Sequence, residues 1–296
     1  MLTLEAAAAI LQSVQIDLNA ASAESWSDSG DAEIPRRFLD PDDCCTRLTV
    51  TDLGGVLAID YYGSEYAGWE YFERALAQPG IAEHIGQLRI AGPDQGANGL
   101  KEWDFSGLIQ AAPRFPRLTD FRISISDPGD HNQSCVADDQ LPALLVLLPA
   151  LRNLALPHAP EPGFFDLDLP ELRWIRTGGD FRTRSFIRHL ADATRLPGLH
   201  FVDFTDSLAP FMETEEGPPD WNSTPFEDYQ RLFEAPIMER CRSFRLRNTR
   251  LSEDQYRTLQ ALRPECQFSV VLAPPHSYVS HWGNSRFPYR HLLPFG

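Results

Sequence analysis

The chain has 296 residues, is 43% hydrophobic and carries a formal net charge of −16 at pH 7. This strongly acidic balance argues against nucleic acid and anionic membrane surfaces as main partners, because both are polyanions, and it favours a basic protein. The hydrophobic content is normal for a folded protein with a buried core. Lys101 is the only lysine, so nearly all of the positive charge is arginine.

The cysteines and apolar segments indicate a soluble, cytoplasmic protein. The five cysteines show no pairing pattern, and the adjacent Cys44 and Cys45 cannot bridge each other without strain, so reduced thiols are expected. Residues 2–18 lack the basic start of a secretory signal. The longest nearly apolar run, residues 141–151, is too short to span a membrane and is interrupted by prolines.

The amino-terminal part combines a predicted capping helix, an acidic linker and a hairpin. Apolar residues at helical spacing over 3–18 predict a short amphipathic helix that caps one end of the domain. Residues 19–43 are rich in Ser, Ala, Asp and Glu, and they are assigned no structure. Alternating apolar residues over 47–62, interrupted by Gly54-Gly55, predict a hairpin.

A three-point apolar signature, Leu-x-x-Leu-x-Leu in loose form, recurs after the hairpin and predicts one short strand per copy. Most copies follow a stretch with helical periodicity, so strands and helices are expected to alternate. The signatures begin at Ile85, Leu118, Leu151, Leu172, Leu199 and Cys241, and a last strand is predicted over 267–272. The predicted helices cover residues 69–76, 105–111, 139–148, 185–193, 227–235 and 252–262, the last with a capping box from Ser252 to Gln255.

Stretches such as Leu118-Thr-Asp-Phe121-Arg-Ile123 and Leu151-Arg-Asn-Leu154-Ala-Leu156 resemble bacterial leucine-rich repeat proteins of an irregular, ribonuclease-inhibitor-like type. The resemblance implies an α/β solenoid with a curved parallel sheet on the concave face and helices on the convex face. It carries over no catalytic residue. We expect three segments: a cap and acidic linker over 1–43, the solenoid over 44–272, and an aromatic tail over 273–296 packed on the last repeat.

Strand alternation places the third, fifth and seventh residues of each signature opposite the core, on the concave face of such solenoids. Four arginines share the fifth-position column, and two aromatic residues lie in the third, which are residue types enriched at protein interfaces. The predicted partner-binding residues are Arg89, Asp120, Arg122, Trp174, Arg176, Phe201, Asp203, Arg245 and Arg247. Two alternatives stay open: the arginines pair with acids such as Asp120 and Asp203 on adjacent strands, or a one-residue slip buries Trp174.

A second candidate surface is the long insert between Ser207 and Phe226. Long loops in compact repeats are often functional, and this one is acidic and contains a tryptophan, a composition suited to gripping a basic partner. Its predicted binding residues are Glu213, Glu215, Glu216 and Trp221. The alternative is a solvated excursion with Trp221 folded back on the solenoid.

The sequence contains no phosphate-binding loop, Cys-x-x-Cys pair, nucleophile elbow or metal-binding helix motif, so no cofactor, metal or catalysis is expected. The favoured hypothesis is a non-catalytic interaction protein, monomeric when free, and its favoured subclass is an immunity protein that neutralises a basic toxin. A scaffolding or adaptor module in a larger assembly is the alternative. An enzyme in which Asp120 or Asp203 acts as base beside Arg89, Arg122 or Arg176 is ranked last.

Overall fold

The computed structural model shows a mixed α/β architecture whose strands run mostly parallel to their neighbours. It describes residues 2–28, 46–63, 67–92, 100–123, 133–137, 139–178, 183–206, 223–247, 249 and 251–271. These residues form seven α-helices and eleven strands. The chain divides into two compact units, Met1–Ala150 and Leu151–Gly296.

The first unit begins with a long helix and an antiparallel hairpin, after which helices and parallel strands alternate. In its main sheet the strand order is β1, β2, β3, β5, and a separate two-stranded sheet pairs β4 with β6. Its elements are α1 (Leu4–Asp28), β1 (Arg47–Asp52), β2 (Leu57–Tyr62), α2 (Ala67–Leu76), β3 (Ile85–Ala91), β4 (Leu100–Trp103), α3 (Ser106–Ala111), β5 (Asp120–Ile123), β6 (Gln133–Val136) and α4 (Gln140–Val146).

The predicted hairpin and amino-terminal helix are both present, and the helix is longer than the sequence predicts. β1 and β2 pair antiparallel, and Gly54 and Gly55 adopt positive φ in the turn between them, where the Asp52 carboxylate accepts the Gly54 N–H at 2.7 Å. α1 buries Ala7, Leu11 and other apolar residues at helical spacing, as expected. It continues to Asp28, beyond the end that the sequence predicts, through a stretch that contains three alanines, the residue with the highest helix propensity.

An aromatic cluster fills the core of the first unit between β2, α2 and the start of α3. The Tyr61 ring stacks on Phe72 with centroids 5.1 Å apart, and Trp69 meets Trp103 and Phe105 edge-on at 5.2 and 5.1 Å. The Trp69 indole N–H donates to the Asp104 carbonyl at 2.6 Å, so this buried polar atom is satisfied. The cluster packs the first helix of the alternating series onto its strands.

The second unit is a parallel sheet with one helix after each of its three middle strands. Its strand order is β7, β8, β9, β10, β11, and every described pair is parallel. Its elements are β7 (Asn153–Ala155), β8 (Trp174–Gly178), α5 (Phe186–Asp192), β9 (Phe201–Thr205), α6 (Phe226–Glu234), β10 (Ser243–Arg247), α7 (Glu253–Leu262) and β11 (Gln267–Val271), with short 3-10 turns at Pro162–Asp166 and Pro236–Glu239.

The signature residues of the second unit form its core, as the apolar pattern predicts. Each strand starts two residues after its signature begins, and the apolar signature positions are buried. The predicted capping box also closes the start of α7: Gln255 N–H donates to the Ser252 hydroxyl at 3.3 Å, and Ser252 N–H donates to the Gln255 side chain at 2.8 Å. The predicted segment boundaries 1–43, 44–272 and 273–296 stay predictions, and the tail lies outside the described residues.

Candidate functional site

In the first unit, the predicted arginines lie side by side on neighbouring strands. The register aligns Asp60 of β2 with Arg89 of β3, and Arg89 with Arg122 of β5. The Arg89 guanidinium lies 3.6 Å from the Asp60 carboxylate and donates to the Gln87 amide oxygen at 3.3 Å. Asp60 was not predicted as part of this face, although its place in the β2 alternation was a usable signal.

Arg122 binds a carboxylate of its own strand. Its Nε and Nη2 donate to the two carboxylate oxygens of Asp120 at 2.5 Å each, which is a bidentate pair. Asp120 is 5% exposed. The Asp120 carboxylate is therefore covered by the arginine two residues further along, and its role in partner binding stays a prediction.

In the second unit, the register places two aromatic residues next to each other. Trp174 of β8 aligns with Phe201 of β9, and Phe201 aligns with Ser243 of β10. Phe201 is 39% exposed and Trp174 is half-buried, so the slip that would bury Trp174 completely is not observed. One pleat further along, Arg176, Asp203 and Arg245 form the next row.

Asp203 lies at the centre of this second row and binds two arginines of β10. The Arg245 guanidinium approaches it to 3.6 Å, and Arg247 donates to both of its carboxylate oxygens, with the Nη2 bond at 2.8 Å. The roles of these two residues in partner binding stay predictions, although Asp203 is 4% exposed and Arg247 is fully buried. Their charges are paired with each other, which is how a buried ion pair avoids an unpaired charge.

Four of the predicted arginines pair with nearby acids, which is one of the alternatives that the sequence left open: Arg89, Arg122, Arg245 and Arg247. Each has a carboxylate within salt-bridge distance. In the first unit, Asp60 and Asp120 offset Arg89 and Arg122. In the second unit, Arg245 and Arg247 share one aspartate, Asp203, on the strand face of that unit. The most exposed large apolar group of that face is Phe201.

A buried polar network closes the carboxyl end of β9. The Asp206 carboxylate accepts the Thr224 N–H at 3.0 Å, the Thr224 hydroxyl at 3.1 Å and the Tyr229 hydroxyl at 3.0 Å. Burial, followed by the nearby Asp206 carboxylate, raises the pKa of Tyr229 well above its usual range. The network fixes the start of α6 against the strand end, and the sequence carried no motif that would have revealed it.

A second buried cluster lies at the loop after β7 and the start of α5. The Thr177 hydroxyl donates to the His158 carbonyl at 2.5 Å, and Arg184 donates to the Ala159 carbonyl at 2.7 Å. Arg184 Nε also lies 2.6 Å from the Glu161 carboxylate. These bonds join the loop after β7 to the start of α5, so we assign them a role in the fold.

The predicted rim loop residues Glu213, Glu215, Glu216 and Trp221 lie outside the described residues. Within the part of the chain that the structure describes, no group of three or more His, Cys, Asp or Glu is arranged to hold a metal ion. Nor does any helix in that part have the length and apolar character needed to cross a membrane.

Comparisons with known proteins identify no family. No protein-family model matches the chain, and no curated protein matches it. Among solved structures, it is similar to a structural-genomics crystal structure of a Bacteroides fragilis protein, with 12% identity over 76% of this chain and 92% of that chain and a TM-score of 0.31. A similarity of this size carries no argument about function.

Proposed function

We propose that the chain is a non-catalytic protein-binding module of the leucine-rich repeat type, whose strand face binds a partner protein. The observation that carries the proposal is the register that sets half-buried Trp174 beside exposed Phe201, with Arg176 in the next row. Aromatic residues and arginines supply most of the binding energy at protein interfaces. The alternation of helices and parallel strands in each unit supports the repeat-type fold.

The charge distribution favours a basic partner, both in long-range attraction and at the contact surface. The whole chain carries a net charge of −16, which attracts a cationic protein over long distances and speeds association. Asp60, Asp120 and Asp203 partly offset the four arginines that pair with them, which weakens the repulsion of such a partner at contact. Neutralisation of a basic toxin by an immunity protein is the role that fits both features.

The test uses affinity capture from the native host, followed by calorimetry with the captured protein. We expect wild type to capture one basic protein and bind it one-to-one. Phe201→Ala should weaken that affinity by about 30-fold or more, the loss typical of a central aromatic anchor. The association rate should fall as salt is raised, because long-range attraction is screened.

The matched control is Tyr71→Ala in α2 of the first unit. Tyr71 is an aromatic residue of similar exposure, 41% against 39% for Phe201, and it lies outside the strand face. Its removal should change the affinity by less than about twofold. Equal binding by wild type and Phe201→Ala, or capture of many unrelated proteins, would contradict the proposal; the second result would favour a scaffolding module.

A further inference from the structure

Two cysteines that are distant in the sequence meet at one end of the last two strands. Cys241 lies just before β10 and Cys266 just before β11, and the register pairs Ser243 with Gln267. The Gln267 N–H donates to the Arg242 carbonyl at 2.9 Å, so the strands are already joined at this level. Continued back by one residue, this register brings Cys266 level with Arg242, so the two cysteines lie one residue out of step at neighbouring strand ends.

Both cysteines of this pair are buried. Cys241 is 7% and Cys266 is 3% exposed. The Cys241 thiol can donate a hydrogen bond to the sulfur of Cys266, and it also lies 3.3 Å from the Ser243 carbonyl. Neighbouring strands lie about 4.8 Å apart, within the Cα separation of about 4.4–6.8 Å that a disulfide spans.

The environment makes the two thiols chemically unequal. The hydrogen bond from Cys241 lowers the pKa of Cys266, and the Phe244 backbone N–H adds to this effect. The same hydrogen bond, together with burial, raises the pKa of Cys241. Because the thiolate is the nucleophile, the lowered pKa favours Cys266 as the thiol that attacks an oxidant first, with Cys241 nearby to react with the product.

We propose that Cys241 and Cys266 form a disulfide when the protein meets hydrogen peroxide, and that a thiol reductant returns it to the two thiols. The Cys266 thiolate attacks the peroxide, so that an S–O bond forms, the O–O bond breaks and one water leaves after protonation. Cys241 then attacks the sulfenic sulfur, the S–S bond forms, the S–O bond breaks, and the hydroxyl leaves with the Cys241 proton as a second water. Two thiols lose two electrons and two protons, and the peroxide is reduced to two waters.

The disulfide would link β11 covalently to its neighbour β10. β11 is the last described strand in the order of the second unit, and it pairs with β10 through the register given above. A bond that closes the chain between these strands removes freedom from the unfolded state. Oxidation would therefore stabilise the end of the sheet formed by β10 and β11. Neither cysteine belongs to the strand face, which includes Arg245 of β10.

The experiment treats folded full-length protein with hydrogen peroxide and maps its disulfides by mass spectrometry. Digestion after glutamate cuts at Glu239, Glu253 and Glu265, which places the two cysteines on separate peptides. We expect a Cys241–Cys266 linked peptide that dithiothreitol removes, and a thermal midpoint at least about 5 °C higher in the oxidised protein.

Matched variants separate this pair from the other thiols. Cys241→Ser should abolish the link and let Cys266 proceed to the sulfinic acid, since no thiol remains to trap the sulfenic acid. Cys135→Ser, which changes a buried cysteine of the first unit, should leave the link intact. A folded wild-type protein that shows no link, links other cysteines, or forms the link only after denaturation would overturn the proposal.

Discussion

At the scale of single residues, Asp203 shows how burial decides the worth of an ion pair. Asp203 of β9 binds two arginines of the neighbouring strand β10. Arg247 is fully buried, whereas the Arg245 side chain is 36% exposed. An exposed pair gains little, because water screens it and the side chains lose freedom. Loss of a buried partner instead leaves an uncompensated charge in the core.

Arg247→Ala should therefore lower the free energy of unfolding by about 3–5 kcal/mol, because Asp203 keeps a buried charge with a weaker partner. Arg245→Ala should lower it by less than about 1 kcal/mol. Urea unfolding of the two variants at neutral pH measures both effects. Similar losses in the two variants would show that burial does not separate these arginines.

The sides on which these residues lie were predictable, but their exposure was not. Strand alternation correctly placed Arg176, Asp203 and Arg245 in one row, because side chains of a strand alternate with period two. The burial of Arg247 depends on the pairing of two side chains that are far apart in the sequence. No local pattern encodes such a contact.

At the scale of elements, the end of β8 is shaped by one glycine. Gly178 has φ of +95°, and a Cβ atom there would lie 2.0 Å from the Thr205 carbonyl oxygen of β9. Both the left-handed backbone and the close approach of the neighbouring strand require glycine. Gly54 in the hairpin turn shares a positive φ, +80°, but a Cβ atom there would meet nothing within 4 Å.

Alanine at these two positions separates backbone strain from steric overlap. Gly54→Ala should cost about 1–2 kcal/mol of unfolding free energy, the price of a left-handed alanine. Gly178→Ala should cost at least about 3 kcal/mol, since β9 must also move. Thermal or urea unfolding compares them. An equal cost at both positions would mean that the strand ends adjust freely to the added methyl group.

Most elements followed from periodicity, and the exceptions have identifiable causes. The helix predicted over 252–262 and the strand predicted over 267–272 are observed at Glu253–Leu262 and Gln267–Val271. The pair β4 and β6 was not predicted, because Leu100–Trp103 and Gln133–Val136 are four-residue segments, half apolar and half polar, without a sustained alternation. Their pairing joins distant parts of the chain, which a local pattern cannot show.

At the scale of the whole molecule, the two compact units predict which strands lose stability when a core residue is changed. Each unit has its own buried apolar residues, including the aromatic cluster of the first and the signature residues of the second. The free energy of local opening differs from region to region within a protein, and the boundary between the two units is a place to test for such a difference. The repeat-like alternation could be predicted from the sequence, whereas the division near residue 150 could not, because the signature recurs on both sides of it.

Hydrogen exchange tests this division with the same core variant. In Arg247→Ala, amides of β8, β9 and β10 should exchange at least about tenfold faster, in proportion to the lost stability. Amides of β2 and β3 should keep their wild-type rates. Equal acceleration in both units would show that the chain opens as one cooperative body.

In the second unit, the connections that follow the parallel strands can vary in length, whereas the register of the strands must stay constant. Because β8, β9 and β10 run in the same direction, the connections that leave them all begin at one edge, while the paired rows stay in the strands. Changes of length in those connections need not disturb the register that aligns Trp174 with Phe201. This edge is therefore where the length and sequence of the chain can vary while the fold is preserved.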